Sequence, residues 1–249
     1  MQIVAFISGK GGVGKSTLTA NVAAGLVARK KRVLVIDLDP QNVQRIHLGL
    51  DPNEIAGLAR EGLSMGTVFE SPFGIQFVPF GQVRDAELEE FEAYLRAHPT
   101  WLRDSLASFE PDAYDYVIID TPPGPTVYMQ QVLRAVHRVL IVAQADAASL
   151  ATIPRTVSLV QELTAGRDDF VDHHIVINQM VNGSKLSHQV RKTLQQQYAD
   201  ILVPVVVQRD AAVSQALAFE RPALQYEPGS PASQSLQGVA DWLIDSSDD

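Results

Sequence analysis

Hydrophobic positions along the 249-residue chain fall into two alternating patterns. Short unbroken runs of β-type residues occupy 3–7, 33–36, 75–80, 116–119, 138–143, 175–177 and 202–207. Between them the apolar residues are spaced as on one face of a helix, first at Leu18, Val22 and Leu26. Helices are predicted at 126–136, 148–164, 184–198, 211–219 and 231–245, with two further pieces in 86–109 separated by Pro99. Strands that are apolar throughout are buried on both faces, and their alternation with helices predicts a doubly wound, mainly parallel α/β sheet covered on both sides. Residues 41–74 break this rhythm. They show short helical pieces at 46–50 and 55–59, then Gly62, Gly66, Pro72 and Gly74, and read as a surface excursion. A chain of this length is expected to form one domain over 1–249, with 245–249 as a frayed acidic tail.

The first strand runs into GKGGVGKST, residues 9–17, and the first helix begins near Lys15. Strand, glycine loop and helix together make a phosphate-binding loop physically meaningful. Gly11, Gly12 and Gly14 allow successive backbone N–H groups to turn inward, and the helix adds the positive end of its dipole. Lys15 can reach β- and γ-phosphates, Ser16 is placed to ligate Mg²⁺, and Thr17 to hydrogen-bond the α-phosphate. The stretch also fits the dinucleotide pattern G-x-G-x-x-G through Gly9, Gly11 and Gly14, with Asp37 at the distance of a ribose-binding acid. That reading leaves Lys15 and Ser16 unexplained and does not call for a second acid at Asp39. Asp37, Asp39 and Asp120 lie at the carboxyl ends of predicted strands, where a parallel sheet places its ligand crevice. Singly, each could cap the following helix.

Lys10 is not required of an ordinary phosphate loop. With it, KGGVGKS resembles the deviant loop of the MinD/ParA superfamily of phosphate-loop ATPases, and the likeness covers most of the chain. The resemblance implies an ATP- and Mg²⁺-dependent homodimer, a slow ATPase used as a switch, with Gly9, Lys10, Gly11, Gly12, Val13, Gly14, Lys15, Ser16 and Thr17 around the nucleotide. In that family the early lysine reaches the partner's nucleotide, so Lys10 is expected to join Lys15 and Asp39 in catalysis. Asp39 matches the acid that activates water, Asp37 the acid near the Mg²⁺ shell beside Ser16, and Asp120 the acid contacting a metal-bound water. Residues 121–124, Thr-Pro-Pro-Gly, match the segment that senses the γ-phosphate. Asn178 resembles the asparagine that reads adenine, and Arg209 and Asp210 sit where members close over the base.

Twenty basic against twenty-nine acidic residues, net −9, argue against a surface that binds nucleic acid or anionic lipid as a whole. The chain has no cysteine, which excludes disulfides and thiolate-held clusters and fits the cytosol. No run approaches the roughly 20 apolar residues of a membrane span, and the chain enters a strand without a signal-like segment, so a cytoplasmic protein is expected. The stretches 77–82 and 208–213, the latter leading to Arg221-Pro222-Ala223, resemble cellulose-biosynthesis members of the superfamily, implying cellulose-synthase subunits as partners and recruitment to the membrane or pole through them. The C-terminal residues 239–245 carry acids and no lysine, which argues against direct membrane binding. Lys185, His188, Arg191 and Lys192 share one predicted helix; they are the best DNA-binding candidates, or simply a solvated face. A scaffold that binds ATP without hydrolysing it is the further alternative.

Overall fold

Along the central strand β1 (Gln2–Ile7), Ile3, Ala5 and Ile7 join one buried cluster, whereas Val4 and Phe6 join another on the opposite face. This period of two, with apolar residues on both faces, is why the strand is buried in the middle of the protein. The computed structural model describes residues 1–51, 53–63, 67–110 and 112–247; Gly66 and the last two residues of the expected tail lie outside them.

After β1 come α1 (Lys15–Ala28), β2 (Val33–Asp37), α2 (Gln44–His47), α3 (Leu58–Glu61), β3 (Phe69–Glu70) and β4 (Gln76–Val78). Then follow α4 (Asp85–Ala97), α5 (Trp101–Leu106), β5 (Tyr116–Asp120), α6 (Val127–Leu133), β6 (Arg138–Gln144) and α7 (Ala147–Thr164). The last third holds β7 (Asp172–Met180), α8 (Lys185–Gln197), β8 (Leu202–Gln208), α9 (Ala211–Ala218), α10 (Ala223–Tyr226) and α11 (Pro231–Asp245). The strands form one sheet in the order β3-β4-β2-β5-β1-β6-β7-β8, parallel except for β3 against β4. The expected α/β architecture is the one observed.

Residues 41–74 differ from the surface excursion expected of them. Leu48 and Leu58 are fully buried, and so is the side chain of Gln44. The helical turns fall at 44–47 and 58–61, so residues 55–57 are not helical. At Gly57 a side chain is sterically impossible, because an added Cβ would lie 2.3 Å from the Gly81 nitrogen. Polar residues and glycines hid this burial, since the segment packs through isolated side chains rather than a periodic face.

The C-terminal helix α11 buries Leu236, Val239, Ala240 and Leu243 in the cluster that also contains Leu18, Val22 and Leu26 of α1. Its end is clamped. Arg138 makes a two-pronged pair with Asp172 at 2.6 and 2.9 Å, donates to the Ser246 carbonyl at 2.9 Å, and lies 5.8 Å from the Trp242 ring centre. No helix among the described residues is long and apolar enough to cross a membrane.

Candidate functional site

Parallel register brings the acids together. Asp37 pairs with Asp120 between β2 and β5, and Phe6 of β1 pairs with Asp120 on its other side. The three strands therefore end level, and the loop 8–14 leaves the end of β1 at the same edge of the sheet.

The loop owes its shape to Gly12 and Gly14, at φ 73° and 88°. An added Cβ at Gly14 would also stand 2.4 Å from Asn178 Nδ2. Gly14 caps α1 without a side chain, and the first turn of α1 contains no acid. By contrast α6, α7, α8, α9 and α11 are each capped by a side-chain oxygen, from Thr126, Asp146, Ser184, Asp210 and Ser230. The N–H groups and dipole of α1 are thus left for an external anion. Lys15 lies within the site, only 6% exposed.

Both strand-end acids are fully buried. Burial, then the charge of Asp120, pushes the Asp37 carboxyl well above the usual range, against N–H donation from Asp39 (2.9 Å) and Gln44 (3.1 Å). Burial also raises Asp120, opposed by the charge of Lys15. Asp120 Oδ1 has no hydrogen-bond partner among the described residues. Asp39 is 7% exposed, and its Oδ1 accepts from the Gln41 N–H at 3.0 Å. Two crowded, buried carboxylates, one of which keeps an unpartnered oxygen, fit a divalent cation. No group of three or more His, Cys, Asp or Glu among the described residues is arranged to hold an ion.

Residues 121–124 are tied to β1 and to the loop, with Thr121 Oγ1 donating to Phe6 O at 2.9 Å and Gly124 N–H to Ser8 O at 2.9 Å. On the other side, a cavity of about 550 Å³ opens beside the loop, lined by Gly14, Thr17, Asn178, Arg209, Asp210 and Val213 among others. Asn178 holds the loop by donating to Val13 O at 2.7 Å. Asp210 lies on the cavity wall with its two carboxylate oxygens accepting from Ala212 N–H (3.0 Å) and Ala232 N–H (3.4 Å), which makes it a helix cap. Arg209 is exposed at the rim.

Lys10 does not point into solvent. Its Nζ donates to Asp146 Oδ2 at 2.5 Å and Gln144 Oε1 at 2.9 Å within its own chain. Gln144 and Asp146 were not singled out from the sequence, although Gln144 ends β6 in register with Asn178. The strand-end criterion that flagged Asp120 finds this place too. Gln179, at φ 55°, donates to Gly12 O at 3.4 Å, and Gln208 Oε1 is buried on the cavity side without a hydrogen-bond partner among the described residues. Gln44 had no periodic signal at all.

A glycine loop capping a helix at the level of two buried strand-end carboxylates defines a phosphate-loop nucleotide-binding protein of the MinD/ParA type. More narrowly, residues 1–244 match the model of the family described as cellulose biosynthesis protein BcsQ, and the chain belongs to that family. The BcsQ of Salmonella typhi is 28% identical over 98% of this chain and 94% of its own. The chromosome-partitioning ATPase Soj of Thermus thermophilus is 26% identical over 97% and 94%. Among solved structures, the septum site-determining protein MinD of Pyrococcus horikoshii, complexed with Mg-ADP, superposes with a TM-score of 0.77 at 22% identity, covering 99% of this chain and 97% of that one.

Proposed function

We propose that this chain is an ATP-binding switch that forms a homodimer across the nucleotide, hydrolyses ATP slowly, and serves the assembly or placement of a membrane cellulose synthase from the cytoplasmic side. The observation that carries the nucleotide reading is the uncapped N-terminus of α1 facing the buried pair Asp37 and Asp120, of which Asp120 keeps an unpartnered oxygen. The 550 Å³ cavity beside it is of a size for a base and sugar. Ser16, Asp37 and Asp120 would hold Mg²⁺, whose contribution is to neutralise phosphate charge. Lys15 and the loop N–H groups bind and orient the phosphates, and Asp39 accepts the proton of the attacking water. Lys10 can serve a partner's site only by giving up Asp146. The cellulose role follows the family's description and the two stretches at 77–82 and 208–213.

The test is mass in solution with ADP and with ATP, for wild type and Asp39→Ala, alongside phosphate release. Doubling of mass with ATP, retained in Asp39→Ala while release stops, is the expected result. A mass insensitive to nucleotide with no release from wild type would leave a scaffold. For the cellular role, Asp39→Ala is expected to trap the protein with synthase subunits and to lower cellulose output; output equal to wild type would overturn it.

A second reading has an observation of its own. The sequence of α8 contains no acid, and Lys185, His188 and Lys192 are exposed on it, with Arg191 half-buried. Retention on non-specific DNA that needs ATP and is lost with salt would favour partition or cargo positioning over the cellulose role.

A further inference from the structure

Gln44 stands where the segment carrying Asp39 meets the residues assigned to the metal. Its side chain is fully buried, and Nε2 donates both to Ser16 O and to Asp120 Oδ2, each at 2.9 Å. Its backbone N–H donates to Asp37 Oδ2 at 3.1 Å. One residue thus bonds the phosphate loop and both strand-end acids. The amide orientation is dictated by chemistry, because turning it over would set Oε1 against two acceptors.

Two acceptors nevertheless stay unmatched: Asp120 Oδ1 and Gln44 Oε1 are buried with no hydrogen-bond partner among the described residues. Native interiors seldom leave such atoms, and those that remain call for a functional account. A hydrated Mg²⁺ supplies what these two atoms lack, O–H donors on its waters, and adds its charge to that of Lys15 beside Asp120.

We propose that Gln44 is a positioning residue that couples the metal to the segment 39–47. By holding Oδ2 of Asp120 it leaves Oδ1 free for a metal-bound water. Through its own backbone bond to Asp37, which in turn accepts from Asp39 N–H, it carries occupancy of the metal shell to Asp39. A glutamine that merely filled space would be indifferent to the metal. The inference rests on the Mg²⁺·ATP reading above.

The experiment measures binding of a fluorescent, non-hydrolysable ATP analogue to the full chain, in Mg²⁺ and in EDTA. Gln44→Met keeps the length of the side chain and removes its donors. Its affinity is expected to fall about tenfold or more in Mg²⁺, as loss of a hydrogen bond to a charged group implies, and to stay within about twofold of wild type in EDTA. Equal loss in both, or none, overturns the role. Should that variant not fold, Gln44→Asn, a methylene too short, is expected to show the same metal-specific loss. On wild type, hydrogen exchange of 39–47 with bound analogue is expected to slow when Mg²⁺ is added; unchanged exchange overturns the coupling. Wild type that binds no nucleotide in any condition overturns the Mg²⁺·ATP reading itself, whereas metal-enhanced binding that survives in both variants overturns only Gln44.

Discussion

In the proposed reaction Lys15 binds phosphate and Asp39 activates water, and substitution separates the two roles. Lys15→Ala removes the buried cation of the proposed phosphate site and is expected to weaken ATP binding at least tenfold, read by titration with a fluorescent analogue. Asp39→Ala is expected to leave that affinity within about threefold while abolishing phosphate release. His47 gives a pH-dependent signature in the same segment. Burial lowers its pKa to about 4 from 6.5, so between those values the unfolded chain binds a proton that the folded chain does not. Stability on this account rises with pH across that window and is lost on acidification from 6.5 towards 4, by up to about 3 kcal/mol. Asp37 and Asp120, raised by burial, act in the opposite sense, because the folded protein takes up their protons first. The difference between wild type and His47→Leu isolates the histidine: urea unfolding at pH 7 and pH 5 should show a smaller acid loss in the variant. An equal loss would overturn this account.

Two elements invite a test of their own. The first is the start of α1, where Gly14 adopts a left-handed conformation against Asn178. Gly14→Ala adds about 1 kcal/mol or more of backbone strain and displaces the asparagine that holds Val13. ATP affinity is expected to drop at least tenfold, with a fall in melting temperature of only a few degrees; unchanged affinity would mean that the loop tolerates reshaping. The second is α11, whose apolar face is spent on α1 rather than offered outward. Arg138, 4% exposed, fastens its end. Arg138→Met leaves Asp172 with only His174, 3.2 Å away, and partly solvated, so destabilisation of about 2 kcal/mol is expected, below the figure for a fully buried pair. Denaturation with an unchanged slope would report it.

At the scale of the molecule, β1 belongs to both buried clusters, and a break in it would open both. We therefore expect the chain to unfold as one domain, in a single calorimetric transition. Saturating Mg²⁺·ATP should raise it by about 2.7 kcal/mol at a hundredfold excess over Kd. Two resolved transitions would overturn the one-domain reading.

Most of the strands and helices, the doubly wound class and the phosphate loop were legible in the sequence, whereas β3, α10 and the turns of 41–74 were not. The legible parts are encoded locally, in unbroken apolar runs, helical spacing and glycines that precede a lysine and a serine. The candidate acids were legible because strand ends are, and the sheet register then set Asp37 beside Asp120. Tertiary structure alone decided the rest. Gln44 enters the site from a segment with no period, Lys10 finds Asp146 across 136 residues, and the cavity wall is assembled from β7, β8, α9 and α11. Such contacts join residues distant in sequence, and no local pattern records which polar side chain will meet which. The physical reason is that hydrophobic periodicity specifies a face, whereas a hydrogen bond or ion pair specifies a point, and only the packed chain brings two points together.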